Sequence, residues 1–132
     1  MSTAYQPQGF HAVTPYLIVP DAPLMIQYLK DSFDVKELIL VENDQGRVQH
    51  SAFSLGDSVI ELGESQSQWA PLCAGLHVYV PDADATYARA IAAGGTSLYE
   101  PADMPYGERS GGVKDPAGNH WYIATTLVKS EG

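Results

Sequence analysis

Three histidines, His50, His77 and His120, and one carboxylate, Glu61, stand in apolar, β-favouring stretches of this chain, where an ionisable side chain needs a reason. Alternation along a strand puts His120 on the same face as Tyr122, with Trp121 and Ile123 opposite. His50 lies on a strand whose neighbour carries Glu61. The four groups could therefore converge on one cavity, with Tyr16 and Tyr122 at its walls. Two imidazoles and a carboxylate would suit Zn²⁺, Ni²⁺ or Fe²⁺. The same groups without metal would suit general acid/base work or polar recognition of a ligand. No local pattern such as His-x-x-x-His decides between these. Plainer roles stand beside them: His77 as a core histidine satisfied by hydrogen bonds, Glu61 as an edge residue facing water. Arg109, in a chain short of cations, is the natural partner of an anionic ligand, with Tyr106 beside it; a salt bridge to a nearby carboxylate is its simpler role.

The elements that must carry these residues are written twice. Val19-Pro20-Asp21-Ala22 returns as Val80-Pro81-Asp82-Ala83, 61 residues on, and the same offset places Gly46 on Gly107 and Glu61 on Tyr122. A repeat of this length means two similar supersecondary units that bury a core together. In the first, Val13 to Val19 reads as a strand. Asp21 is an N-cap with Pro23 in the opening turn, and Met25, Ile26, Leu29 and Phe33 fall at helical spacing. Leu38 to Val41, Arg47 to Leu55 and Ser58 to Leu62 follow as strands, separated by Asn43-Asp44-Gln45-Gly46 and Gly56-Asp57.

In the second unit Leu76 to Val80 is a strand, and Asp82 caps a helix that Gly94-Gly95 ends. Thr96 to Tyr99 begins the next strand. Glu100 to Gly112 is rich in Pro and Gly and reads as irregular, so part of it is expected to be a mobile flap over the cleft. Asp115-Pro116-Ala117-Gly118 fits a type I turn before the closing strand, His120 to Leu127. The fold class is α+β: two pseudo-symmetric βαβββ modules, about 10–64 and 73–128 with a linker over 65–72, forming a curved mixed sheet around a cleft within one domain over 1–132. Trp69, in the linker, is the candidate for a cavity lid, Trp121 a packing residue, and His11 an exposed one.

Composition limits the function. The 132 residues are enough for one core without disulfides, and the single cysteine, Cys73, reads as a small buried residue. Sixteen acidic residues against seven basic give a net charge of −9, which argues against nucleic acid and anionic membrane surfaces as partners. No apolar run reaches membrane-spanning length, and Met1 to Gly9 has no basic start or apolar signal core, so a cytoplasmic protein is the default expectation.

The double βαβββ plan, the Val-Pro-Asp helix entries, Tyr106-Gly107-Glu108-Arg109 and Asp115-Pro116-Ala117-Gly118-Asn119-His120-Trp121 together resemble the glyoxalase/bleomycin-resistance/extradiol-dioxygenase superfamily, the vicinal oxygen chelate proteins, and within it a glyoxalase-like branch. The resemblance runs from about Phe10 to Val128. It implies a small polar or aromatic ligand in the cleft between modules, lyase or isomerase chemistry by proton abstraction, or drug or metabolite binding without catalysis. Metal-dependent members supply ligands from positions that match Thr14, Glu61, Gly75 and Tyr122, of which only Glu61 is a good donor.

No tightly bound cofactor is therefore expected, and a divalent transition metal, if held, would use Glu61 and His77. Glu61, His77 and His50 are the candidate catalytic residues. Tyr16, Tyr106, Arg109, His120 and Tyr122 are the candidate ligand contacts. Related proteins close their open sheet edges by two-fold pairing, so a homodimer is expected.

Overall fold

Asp21 and Asp82 open the two helices as their spacing requires: each side chain accepts a hydrogen bond from the amide three residues on, Leu24 and Ala85, at 3.1 Å. In the computed structural model, which describes residues 5–128, module one runs β1 (Tyr16–Val19), α1 (Ala22–Phe33), β2 (Lys36–Glu42), β3 (Val48–Leu55) and β4 (Ser58–Glu64). Module two repeats the order as β5 (Gly75–Tyr79), α2 (Ala83–Ala92), β6 (Thr96–Met104), β7 (Glu108–Lys114) and β8 (His120–Thr126). Each module is a four-stranded mixed sheet, ordered β1-β4-β3-β2 and β5-β8-β7-β6. The first and last strands of each module pair in parallel, and the other pairs are antiparallel.

The offset of the repeat survives in the register. Tyr16 stands opposite Glu61 and His77 opposite Tyr122. It survives in the helix starts too. Glu64 accepts from the amide of Ala22 at 3.1 Å, and its counterpart Thr125 accepts from that of Ala83 at 2.8 Å. In both modules the last strand thus satisfies a helix N-terminal N–H that has no partner within the helix.

One apolar core serves both modules. Leu17, Met25, Leu29, Phe33, Phe53 and Leu62 join Val113, Trp121 and Ile123, all buried, beneath the helices. Phe33 of module one meets Trp121 of module two with ring centroids 4.6 Å apart. Outside the core, Arg89 of α2 donates to Asp34 at 2.7 and 2.8 Å and to the Asp31 carbonyl at the end of α1. The Asp34 carboxyl is held below its usual range by that hydrogen-bonded guanidinium.

Three expectations are corrected. The first strand begins at Tyr16, not Val13, so Thr14 lies outside it: Pro15 has no N–H for a ladder, and only its carbonyl takes part, accepting from Glu61. Glu100 to Gly112 is no irregular flap. It is the β6–β7 hairpin, turned at Gly107 (φ 93°). Pro101 is tolerated because β6 is an edge strand and the register shifts between Tyr99 and Ala102. Gly112 is there for close approach, since the Tyr99 ring lies where its Cβ would be. Cys73, third, is exposed.

The Asp115 turn is the most densely bonded polar feature of the core. Its buried carboxylate accepts from Trp121 Nε1 (2.8 Å), Asn119 Nδ2 (3.0 Å) and the amides of Ala117 and Asn119. Asn119 in turn accepts from the Ala74 amide at 2.8 Å, tying the start of β8 to the start of β5. Asp115→Ala strands these donors inside the protein and is expected to cost about 3 kcal/mol. Urea denaturation checks this; a loss below about 1 kcal/mol would contradict the role given to the turn.

Candidate functional site

The open face of the second sheet is set by strand alternation. Gly75, His77 and Tyr79 of β5, Glu108, Ser110 and Gly112 of β7, and His120 and Tyr122 of β8 all point away from the helices. Ser110 and Ala124 are small and stand between β5 and Glu108 on this face, which leaves the Glu108 side chain room to lie across the sheet. Its carboxylate is 6% exposed and holds one donor on each oxygen: His77 Nε2 at 3.0 Å and Tyr79 Oη at 3.1 Å. An ionised carboxylate only accepts, so a hydrogen bond to it from His77 requires a proton on Nε2. The His77 and Tyr79 rings stack at 4.7 Å, which fixes both.

These groups border a hollow of about 580 Å³. Glu108, Glu100 and His77 are its charged or ionisable polar lining, Tyr99, Tyr106 and Tyr122 supply aromatic surface, and Met104 and Ala102 complete the apolar lining. Tyr99 is fixed in place: its hydroxyl meets Ser110 Oγ at 2.7 Å and its ring packs against Gly112. Tyr106, at the hairpin tip, is exposed. Loss of solvent, then the nearby Glu108 and Tyr99 charges, push its phenol up.

The first sheet carries a different cluster. Tyr16 Oη lies 3.4 Å from His50 Nδ1, their rings stack at 5.8 Å, and His50 Nε2 lies 3.3 Å from Glu61 Oε2. Burial, and then the Glu61 charge, raise the Tyr16 phenol. A second hollow of about 580 Å³ adjoins Tyr16, with Gln49, Leu72 and Trp69 around it; neither His50 nor Glu61 lines it.

The convergence of four groups on one cavity is therefore corrected. The structure brings His50 to Glu61 and Tyr16 on one sheet, and His77 to Glu108 and Tyr79 on the other. The crevice between modules is an apolar hollow of about 220 Å³, bordered by Pro15, Leu55, Ile60, Leu76 and Trp121, with His77 and Tyr79 at one side. The reason lies in the shared core: the modules pack through their helix sides, so each sheet keeps its own open face. His120 pairs with Tyr122 alone, Nδ1 to Oη at 3.4 Å.

Arg109 points to the helix side, opposite the hollow. It donates to Asp84 at 2.7 and 3.1 Å and to Asp103 at 3.0 Å, bracing α2 against β6. Those hydrogen bonds raise the guanidinium's pKa and hold the Asp84 carboxyl below its usual range.

Metal binding by Glu61 with His77 does not fit this geometry, since each is engaged within its own sheet. Among the described residues no three His, Cys, Asp or Glu side chains gather. Of the positions matching family ligands, Thr14 lies off the strand. Gly75 has no donor, and the Tyr122 ring lies 3.4 Å from where its Cβ would stand.

Glu108, Tyr79 and Tyr99 were not singled out by sequence. The signal was present in Tyr106-Gly107-Glu108-Arg109: once β7 is read as a strand, alternation puts Glu108 inward and Arg109 outward.

Comparison with known proteins agrees with this architecture. Residues 9–123 match the Glyoxalase/Bleomycin resistance protein/Dioxygenase superfamily. An uncharacterised protein of Mycobacterium bovis is 32% identical over 126 residues, covering 85% of this chain and 81% of the relative. Among solved structures, TioX from Micromonospora sp. ML1 superposes with a TM-score of 0.75 at 21% identity, over 89% of this chain and 99% of that one. A glyoxalase-related enzyme from Fulvimarina pelagi gives 0.73 at 19% identity, over 92% of each. The fosfomycin resistance protein FosX from Mesorhizobium loti gives 0.65 at 18%, over 87% and 91%. These likenesses show the fold.

The hydrogen bond from Tyr79 to Glu108 first, then lost solvent and the Glu108 charge, raise the Tyr79 phenol above its ordinary 10.0. A raised value means the bond's contribution is complete below the unfolded phenol's pKa and is lost as pH climbs through the folded one. Glu108→Gln should bring the Tyr79 titration back toward 10.0, read by carbon-13 NMR of the tyrosine ring. An unchanged titration would show that Glu108 does not hold the phenol.

Proposed function

Since the chain belongs to the glyoxalase/bleomycin resistance protein/dioxygenase superfamily, we propose that it binds a small polar or aromatic molecule on the open face of its second sheet, with Glu108 placed to take a proton from it. The observation that carries this reading is the carboxylate itself. Glu108 is almost wholly buried and has one donor on each oxygen at the base of a hollow of ligand size. Burying a charge is costly unless it is paired, and groups held this way in a pocket are candidates for a functional role. The carboxylate keeps free lone pairs for a ligand. A bound molecule with an acidic C–H or N–H within about 3 Å could lose its proton to Glu108, the opening step of lyase or isomerase chemistry. His77 and Tyr79 orient the carboxylate for this step.

Binding without turnover is the second reading. It is favoured by the breadth of aromatic wall, with Tyr99, Tyr106 and Tyr122 lining one hollow. In that case Glu108 is a polar anchor rather than a base.

The same proposal includes a homodimer. Edge strand β2 presents Leu38, Ile39, Leu40 and Val41 in succession, each 39–47% exposed, and a free row of backbone groups. Such an edge invites pairing unless it is covered, and a second copy of the chain supplies a matching cover. Sedimentation equilibrium should give twice the 14.2 kDa chain mass; a 14.2 kDa species at micromolar protein would end the dimer proposal.

A thermal-denaturation screen against small polar and aromatic molecules tests the binding reading, because a ligand of the native state raises the midpoint by mass action. Compounds that stabilise the wild type should lose most of that effect with Glu108→Gln or His77→Ala. If hits stabilise the variants as strongly as the wild type, the site lies elsewhere. Solvent-deuterium exchange into a bound hit, followed by NMR, then separates the two readings: exchange that disappears with Glu108→Gln marks proton abstraction.

A further inference from the structure

The same hollow has a charge character that narrows its ligand, an inference that rests on the binding reading above. Its charged lining consists of Glu100 and Glu108 with His77, and among the described residues neither lysine nor arginine borders it. Arg109, the basic residue next in sequence to Glu108, is turned to the helix side and bound by Asp84 and Asp103. Among the described lining residues His77 is the one that can carry positive charge, and it is already engaged by Glu108; the two carboxylates would repel an anionic ligand.

The aromatic groups are arranged for the opposite charge. The Tyr99 ring packs against Gly112 with its hydroxyl tied to Ser110, and it lines the hollow. Tyr106 and Tyr122 add rings from the hairpin tip and from β8. A tyrosine face carries the negative end of the ring quadrupole, which attracts a cation within about 6 Å. A carboxylate shielded from solvent at the base of that wall is a fixed counter-charge, stronger there than at the surface. The phenols of Tyr79 and Tyr106 are both raised in part by the Glu108 charge, as a negative local field requires. The net charge of −9 acts in the same direction at long range.

We propose that the second-sheet hollow selects an organic cation, an ammonium or amidinium group carried on an apolar or aromatic body, with the cationic head between the tyrosine faces and Glu108 and the body against Met104 and Ala102.

Calorimetric titration of the folded protein with three probes of similar body tests this: benzyltrimethylammonium, benzyl alcohol and benzoate, all in one buffer. The cation should bind saturably and about ten-fold or more tightly than either other probe. Glu108→Gln and Tyr106→Leu should each weaken it by about ten-fold. Tyr106 is an exposed tip residue, so the second variant stays informative if the first folds poorly; melting curves of both report folding. Tighter binding of benzyl alcohol or benzoate, lost with Tyr106→Leu, would overturn the cation preference while leaving the hollow as a ligand site. Cation binding that both variants leave unchanged would overturn it as well. Failure of the wild type to bind any of the three also refutes it, and the denaturation screen then judges the binding reading independently.

Discussion

The buried carboxylate of Asp115 is the interaction on which the second module depends. It gathers an indole N–H, an amide side chain and two backbone amides at the mouth of β8. Asn119, held there, reaches across to the Ala74 amide, and the His120 amide donates to the Ala74 carbonyl at 2.9 Å. Those bonds fix the register of two parallel strands that no tight turn connects. A one-residue slip of β5 would turn His77 toward the core and present Val78 to solvent, and a slip of β8 would do the same with Tyr122 and Trp121. Trp121 carries the constraint further, because the ring whose N–H satisfies Asp115 also packs on Phe33. A single turn thereby sets the strand register, the orientation of the site and the seating of one module on the other.

The two modules have diverged around a common frame. What they share is backbone bookkeeping: the capping aspartates and the last-strand side chains, Glu64 and Thr125, on the helix amides. What differs faces the open sides. Module one joins β3 to β4 by the short Gly56-Asp57 turn and has no counterpart of the Asp115 network; Ser54 and Ile60 stand at the matching positions. Its polar cluster is looser, with contacts of 3.3 and 3.4 Å among partly exposed groups. Module two holds Glu108 at 3.0 and 3.1 Å and nearly hidden. The cost of hiding a charge explains the difference in stringency: Glu61 can lean on water, Glu108 cannot.

Much of this was legible in the residues. The 61-residue repeat fixed the topology because each copy repeats the same caps, and a cap is a local hydrogen bond that needs no tertiary knowledge. Strand alternation placed His120 and Tyr122 on one face of their strand, with Trp121 and Ile123 on the other. Beyond Tyr99 the hairpin that runs to Lys114 was not legible, because Pro and Gly carry two meanings. They end regular structure, and they also permit close approach on an edge; Pro101 and Gly112 do the second. Missing β7 concealed Glu108. The joint cavity was misplaced for another reason: alternation says which face a side chain takes, but not how two sheets are set against each other. That depended on Phe33 and Trp121, whose contact crosses modules.

In metal-dependent relatives the working positions would be those of Thr14, Glu61, Gly75 and Tyr122, and here they cannot act together. Gly75 offers no donor, and the Tyr122 ring stands 3.4 Å from where a side chain on it would begin. The parallel register that sets Gly75 against His120 sets His77 against Tyr122, so the next inward residue along β5 is an imidazole. Its Nε2 finds Glu108 from the hairpin, and Tyr79, one inward position further, finds the same carboxylate. A hydrogen-bonded imidazole–carboxylate pair thus stands one alternation step along the strand from Gly75, within the same fold. Because inward positions recur every second residue, a sheet of this kind can relocate its functional groups by substitution alone, whereas moving them across the sheet would require breaking the register that Asp115 holds.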